Sequence, residues 1–184
     1  DTEVLVDTAL ELFDEAPRVL DLGTGSGCLA VTLALEMKSS EVVATDVSRE
    51  ALLTAEHNAA KLQAKVAFRH GAWWEAVGEE ERFDLIVSNP PYIRADDEHL
   101  ANLTFEPRSA LTDEGDGMSA LAVIALGAPA HLRSGGWLLL EHGYDQGEAC
   151  RNLLQHAGFS AVRTVKDFGG NDRVTLGTVG HFSG

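Results

Sequence analysis

Two stretches of this 184-residue sequence hold residue types that can do chemistry. The first is Asn89-Pro90-Pro91-Tyr92. Two consecutive prolines fix two φ angles and remove two amide donors, so the turn presents carbonyl acceptors. A planar amide or aryl amine nitrogen is a poor nucleophile because its lone pair is delocalised. If the side-chain oxygen of Asn89 and the carbonyl of Pro90 each accept one of its N–H bonds, that lone pair can be aimed at an electrophilic carbon. Tyr92 can stack on the planar group. Orientation of this kind lowers a barrier by on the order of several kcal/mol. No strong base is required before transfer, and none is evident around the turn.

The second stretch is Asp21-Leu22-Gly23-Thr24-Gly25-Ser26-Gly27, a GxGxG loop. Glycines let the backbone of a strand-to-helix crossover come close to a ligand. Cys28 stands where the dinucleotide fingerprint GxGxxG has its last glycine, so that fingerprint is not matched. Asp46 follows about 20 residues beyond the loop, where a carboxylate can accept hydrogen bonds from both hydroxyls of a ribose. The pair indicates a nucleoside cofactor. Asp46 can also open a helix ahead of Ser48, and the two roles are compatible.

These residues need strand ends to hold them. Arg18 to Leu22 reads as a short buried strand, Glu41 to Thr45 as a second, Lys65 to His70 as a third and Phe83 to Ser88 as a fourth. Trp137 to Glu141 is the fifth, and Ala161 to Lys166 with Arg173 to Val179 forms an antiparallel pair across a turn at Gly169 to Asp172. Helices are expected over Asp1 to Asp14, about Cys28 to Met37, Ser48 to Leu62 with Ser48 as N-cap, about Met118 to Leu132 and Asp145 to Ala157. Gly135-Gly136 reads as a turn, and Asn89 to Gly117 as a long segment without period. Such alternation predicts an α/β fold, a doubly wound, mostly parallel seven-stranded sheet covered on both faces, ending in an antiparallel hairpin.

The chain carries 14 basic and 29 acidic residues, a net charge of -15, with 45% hydrophobic residues. Its length supports one domain with a proper core. The longest apolar stretch, Met118 to Pro129, is too short to span a bilayer, so a protein free of membranes is expected. Phosphate backbones repel so acidic a domain, and direct nucleic acid binding is not expected. Cys28 and Cys150 form no CxxC pair and the seven histidines no metal spacing, so neither a metal nor a disulfide framework is expected and a reducing compartment is. The histidines read as surface or capping residues, and Glu79-Glu80-Glu81 as a solvated loop. The chain starts at Asp1 without a methionine or a leader, and an upstream piece is expected to be missing.

Taken together these blocks resemble the HemK/PrmC family of release factor glutamine methyltransferases, class I enzymes dependent on S-adenosylmethionine. The resemblance runs over essentially the whole chain. Asp1 to Val6 is similar to the family's Pro-(Asp/Glu)-Thr-Glu-x-Leu-Val segment, Asp21 to Gly27 to its cofactor loop, and Asn89 to Ile93 to its Asn-Pro-Pro-Tyr-Ile signature. Phe105 to Arg108, Ala110-Leu111, Gly115 to Gly117, Gly136 to Gly143 and Gly170 to Val174 resemble its later blocks in the same order. The resemblance implies a Rossmann-like methyltransferase fold and methyl transfer from S-adenosylmethionine to the side-chain amide nitrogen (N5) of the glutamine in the Gly-Gly-Gln loop of peptide chain release factors, in the cytoplasm. It also implies that Gly23, Thr24, Gly25, Ser26 and Gly27 wrap the cofactor, that Asp46 holds the ribose and that Trp73 lies against the adenine. Asn89 would touch the cofactor and, with Pro90, Pro91 and Tyr92, hold the substrate amide.

Two departures stand out. The family's acid before the tryptophan is replaced by Ala72, and its upstream helical docking domain is expected to be missing from residues 1–184, which are expected to be the catalytic domain. Two other readings of the same residues remain. Methylation of an exocyclic amine on a nucleic acid base poses the same planar nitrogen problem, although no Lys/Arg cluster flanks the turn. A fragment lacking its docking domain could bind cofactor without turnover.

Overall fold

A computed structural model describes residues 2–13, 17–38, 40–90 and 118–180. Pro91 and Tyr92 of the tetrapeptide, and the blocks between Phe105 and Gly117, lie outside the described residues. The elements run α1 (Thr2–Leu12), β1 (Arg18–Leu22), α2 (Cys28–Glu36), β2 (Glu41–Asp46), α3 (Arg49–Leu62), β3 (Ala67–His70), a 3-10 turn (Trp73–Ala76) and β4 (Phe83–Ser88). They continue with α4 (Met118–Gly127), a 3-10 turn (Ala128–His131), β5 (Leu132–Glu141), α5 (Gly147–His156), β6 (Ser160–Lys166) and β7 (Asp172–Thr178). The seven strands form one sheet in the order β3-β2-β1-β4-β5-β7-β6, with β7 antiparallel to both β5 and β6 and the others parallel.

Strand burial explains the order. Four of the five residues of β1 and five of the six of β4 are buried, as strands covered on both faces must be. Alternate residues feed two cores. Leu20, Leu22, Ile86, Leu138 and Leu140 pack with α4 and α5, through Leu121, Ile124, Cys150 and Leu154. Val19, Leu85, Val87 and Leu139 face α1 and α2, through Leu5, Ala9, Leu29 and Leu33. The sheet order reverses between β1 and β4, so their carboxyl ends diverge into a crevice there.

Four local expectations need correction. The helix from Met118 ends at Gly127 and not Leu132, because Pro129 cannot donate to a continuing helix and the chain tightens into a 3-10 turn. The expected turn at Gly135-Gly136 lies inside β5, where the pairing with β4 shifts register and Gly135 takes φ +84°. Two histidines are not at the surface. His131 is buried and stacks on Trp74 at 5.0 Å between centroids, and His142 is buried with Nε2 2.7 Å from Thr175 Oγ1.

Glu81 is the fourth correction. Glu79 and Glu80 are exposed, but Glu81 accepts both guanidinium nitrogens of Arg69, at 2.6 and 2.9 Å, and one of Arg18 at 3.0 Å. The amide of Gly78 adds a fourth bond at 2.8 Å. The carboxylate thereby joins β1 to β3 through the loop before β4. The bidentate Arg69 guanidinium, with the Gly78 amide and Arg18 adding to it, holds its pKa well below the usual carboxylate range.

Replacing Glu81→Ala is expected to cost about 1.5 to 3 kcal/mol at neutral pH, the range for hydrogen bonds to charged groups. Since the folded chain binds this proton less tightly than the unfolded one, the contribution is present above the ordinary carboxylate pKa and disappears as pH falls below it. Urea unfolding of both proteins at pH 7 and at pH 3 should therefore show the gap narrowing in acid; a gap independent of pH would overturn the assignment.

Candidate functional site

Gly23, Gly25 and Gly27 all adopt positive φ, at 71°, 58° and 86°. This left-handed geometry is open to glycine and strained for a residue with a Cβ. It carries the chain from the end of β1 round to α2, which starts at Cys28 with no side-chain cap. Gly27 has a second constraint, since a Cβ there would lie 2.7 Å from that of Ala55 on α3. At Gly25 nothing lies within 4 Å of a would-be Cβ, so the middle of the loop faces open space.

The loop is tied to the end of β2. Thr24 donates its amide to Thr45 O at 2.8 Å, and Gly25 donates to Asp46 Oδ2 at 2.8 Å. Asp46 Oδ1 accepts the amide of Ser48, whose own hydroxyl caps α3 by accepting from Ala51. The expected helix-opening role of Asp46 is thus real. Each carboxylate oxygen accepts one bond of the two its lone pairs allow, which leaves capacity for two outside hydroxyls. Asn58 of α3 donates to Ser26 O at 2.9 Å and fixes the far side of the loop.

Trp73 borders the same loop, with its Cζ3 only 3.1 Å from where a Cβ on Gly23 would sit. Its own φ of +44° is rare for a bulky residue, and strain of this kind gathers at functional sites. Across the crevice Ser88 Oγ donates to Leu22 O at 2.7 Å, clamping the end of β4 to that of β1. Immediately beyond it Asn89 is exposed and Pro90 buried. The described members of both expected constellations therefore meet at the carboxyl edge of β2, β1 and β4: Gly23, Thr24, Gly25, Ser26, Gly27, Asp46 and Trp73 around one cradle, Asn89 and Pro90 beside it.

Asp21 has no role in the sequence reading. It is 1% exposed, its Oδ2 accepts the Thr24 hydroxyl at 2.8 Å, and burial pushes its pKa up to about 7. The hydrogen bond from Thr24 opposes that rise, and the charge of Asp46 adds to it. The available signal was one acid inside the otherwise apolar run Val19 to Leu22. Glu141 was likewise the last residue of an apolar strand, and it too is buried, with Oε1 unpartnered and a pKa raised by burial.

The methyltransferase small domain matches residues 1–118 of the chain. The release factor glutamine methyltransferase of Bordetella pertussis is 54% identical over 181 residues, covering 96% of this chain and 67% of that protein. The chain spans about two thirds of the length of the curated relatives it matches. A solved methyltransferase from Pyrococcus furiosus is similar in fold, with a TM-score of 0.71 at 19% identity over 96% of this chain and 83% of that one. A 16S rRNA methyltransferase from T. thermophilus, solved in complex with AdoMet and guanosine, gives a TM-score of 0.66 at 27% identity over 95% of this chain and 42% of that one.

Burying Asp21 as a carboxylate opposes folding. Its folded pKa lies above the unfolded value, so the folded state holds the extra proton and stability falls as pH rises from about 4 to about 7. Asp21→Asn keeps an acceptor for Thr24 and is expected to match the parent at pH 4 and to exceed it at pH 8, by up to about 4 kcal/mol. Chemical denaturation across that range would show the two curves diverging; parallel curves would rule out a buried, titrating Asp21.

Proposed function

Because the chain belongs to the family of release factor glutamine methyltransferases, we propose that it transfers a methyl group from S-adenosylmethionine to the side-chain amide nitrogen of the glutamine in the Gly-Gly-Gln loop of peptide chain release factors. The observation that carries this reading is the junction of two half-sites at one sheet edge: the cradle of Gly23 to Gly27 with Asp46, and Asn89-Pro90 directly across from it at the end of β4. Residues 1–184 act as its catalytic domain. Among the described residues no helix is long and apolar enough to cross a membrane.

The residues present suit the cofactor. Open space over Gly25 admits a ligand against the backbone, Asp46 retains acceptor capacity for a ribose diol, and the Trp73 indole offers a face beside Gly23 for an adenine. When bound, S-adenosylmethionine supplies an electrophilic methyl group on a sulfonium. The chain's part is orientation. Asn89 Oδ1 and the Pro90 carbonyl each accept one N–H of the target amide, which leaves its lone pair facing the cradle. The parts expected of Pro91 and Tyr92 fall outside the described residues. A net charge of -15 draws a cationic cofactor toward the domain and repels phosphate backbones, which favours a protein substrate over a nucleic acid base.

The test offers radiolabelled S-adenosylmethionine with an intact release factor, with a Gly-Gly-Gln peptide and with DNA. Label is expected on the glutamine substrates, and Asn89→Ala is expected to lower turnover by about 100-fold or more. Label on DNA alone, or on nothing, would overturn the proposal. For the cradle, Asp46→Ala is expected to weaken cofactor binding at least about 10-fold by calorimetry, since it removes both the outside acceptor and the bond that holds Gly25.

A further inference from the structure

Among the described residues three buried side-chain atoms lack a hydrogen-bond partner: Ser40 Oγ, Thr45 Oγ1 and Glu141 Oε1. Only the last belongs to an acid, and a buried carboxylate oxygen without a donor is costly enough to call for an explanation. Glu141 is 6% exposed. The nearest cation in sequence across the β5–β7 pairing is Arg173, but its guanidinium is already spent on Asp167 Oδ2, at 3.1 and 3.3 Å, and on His142 O at 3.4 Å.

The position of Glu141 is informative. Leu140 pairs with Ser88, so Glu141 lies one step beyond, beside Asn89 at the carboxyl ends of neighbouring parallel strands. Alternation along β5 puts it on the same face as Leu139, the face that also receives Val19, Val87 and, by the same alternation in β1, Asp21. Passing along the sheet edge, Asp46 ends β2, the glycine loop follows β1, Asn89 follows β4 and Glu141 ends β5. The cofactor half occupies β2 and β1, which leaves β4 and β5 to the substrate. The two N–H bonds of the target amide are taken by Asn89 and Pro90, so the donors left for Glu141 are the main-chain N–H groups next to the glutamine.

We propose that Glu141 is a substrate-binding residue whose carboxylate accepts a main-chain N–H of the peptide segment that carries the target glutamine. The inference rests on the transfer reaction proposed above. A charged acceptor inside the sheet edge selects an extended or glycine-rich segment, because only such a backbone can bring its amides in beside the side chain it delivers. A buried acceptor left unpaired until the substrate arrives also discriminates against ligands without that donor.

The test uses the full-length protein with Glu141→Met, which keeps the length and removes the acceptor, and Glu141→Gln, which keeps an uncharged acceptor. With intact release factor, Glu141→Met is expected to raise KM about 10-fold or more with kcat within a few-fold of the parent, and Glu141→Gln to fall between. Cofactor affinity by calorimetry should stay within about two-fold, and the melting temperature of Glu141→Met should not fall, since Oε1 has no hydrogen bond to lose and the raised pKa shows that burial of the charge outweighs its attraction to Arg173. An unchanged KM in an active enzyme would overturn the inference alone. So would a lowered melting temperature with KM unaltered, which would give the carboxylate a partner within its own chain, or a weakened cofactor, which would place it on the wrong side of the crevice. A parent enzyme that labels no glutamine substrate would remove the reaction and this inference together.

Discussion

Asp46 Oδ2 accepts the amide of Gly25 while Oδ1 accepts that of Ser48, so one carboxylate at the tip of β2 sets both the curve of the glycine loop and the start of α3. The loop cannot hold this shape by itself. Three glycines at positive φ are permissive, and a permissive backbone has many other conformations to visit. Asp46, Thr45 and Asn58 remove those alternatives from three sides. The cradle therefore exists before any ligand arrives, and binding need not supply the ordering entropy of the loop.

That arrangement places a second acid close to the first. Asp21 lies beneath the loop with Thr24 as its hydrogen-bond donor, and the charge of Asp46 contributes to its raised pKa. The charge of Asp46 adds to the burial that disfavours ionisation of Asp21, while negative charge around the turn favours a cationic ligand above it. The tension is of the kind that sites hold at some expense to the fold. Elsewhere the acids are treated differently: Glu81 is neutralised by two arginines at the opposite end of the sheet, where it only has to hold strands together.

The sheet was readable from the sequence because buried parallel strands announce themselves as continuous apolar runs, and Arg18–Leu22 and Phe83–Ser88 were legible to the residue. The glycine loop and Asp46 were legible because their geometry demands particular residue types. Long-range pairing was not. Glu81 reads as one of three adjacent acids, and nothing local distinguishes it from Glu80. Its partners Arg18 and Arg69 are brought to it only by the strand order. His131 and His142 were hidden for the same reason, their burial depending on Trp74 and Thr175 from distant elements. Glu141 was visible as an acid ending a strand, but its lack of a partner is a property of the assembled sheet.

In the proposed reaction the methyl group must pass between the ends of β1 and β4, and misplacement there by about 1 Å is enough to cost on the order of 100-fold in rate. These two strands are the ones whose following chain segments diverge, so the sheet ladder stops holding them together where precision matters most. The Ser88 hydroxyl addresses this point. Its bond to the Leu22 carbonyl is buried, spans the two strand tips and lies one residue before Asn89 and one before Gly23. A small side chain is required to fit between adjacent backbones, and a donor is required because the Leu22 carbonyl faces the protein interior. Serine at this position thus couples the cradle to the Asn89-Pro90 turn, and the distance between the two is set by the strand spacing more than by either loop.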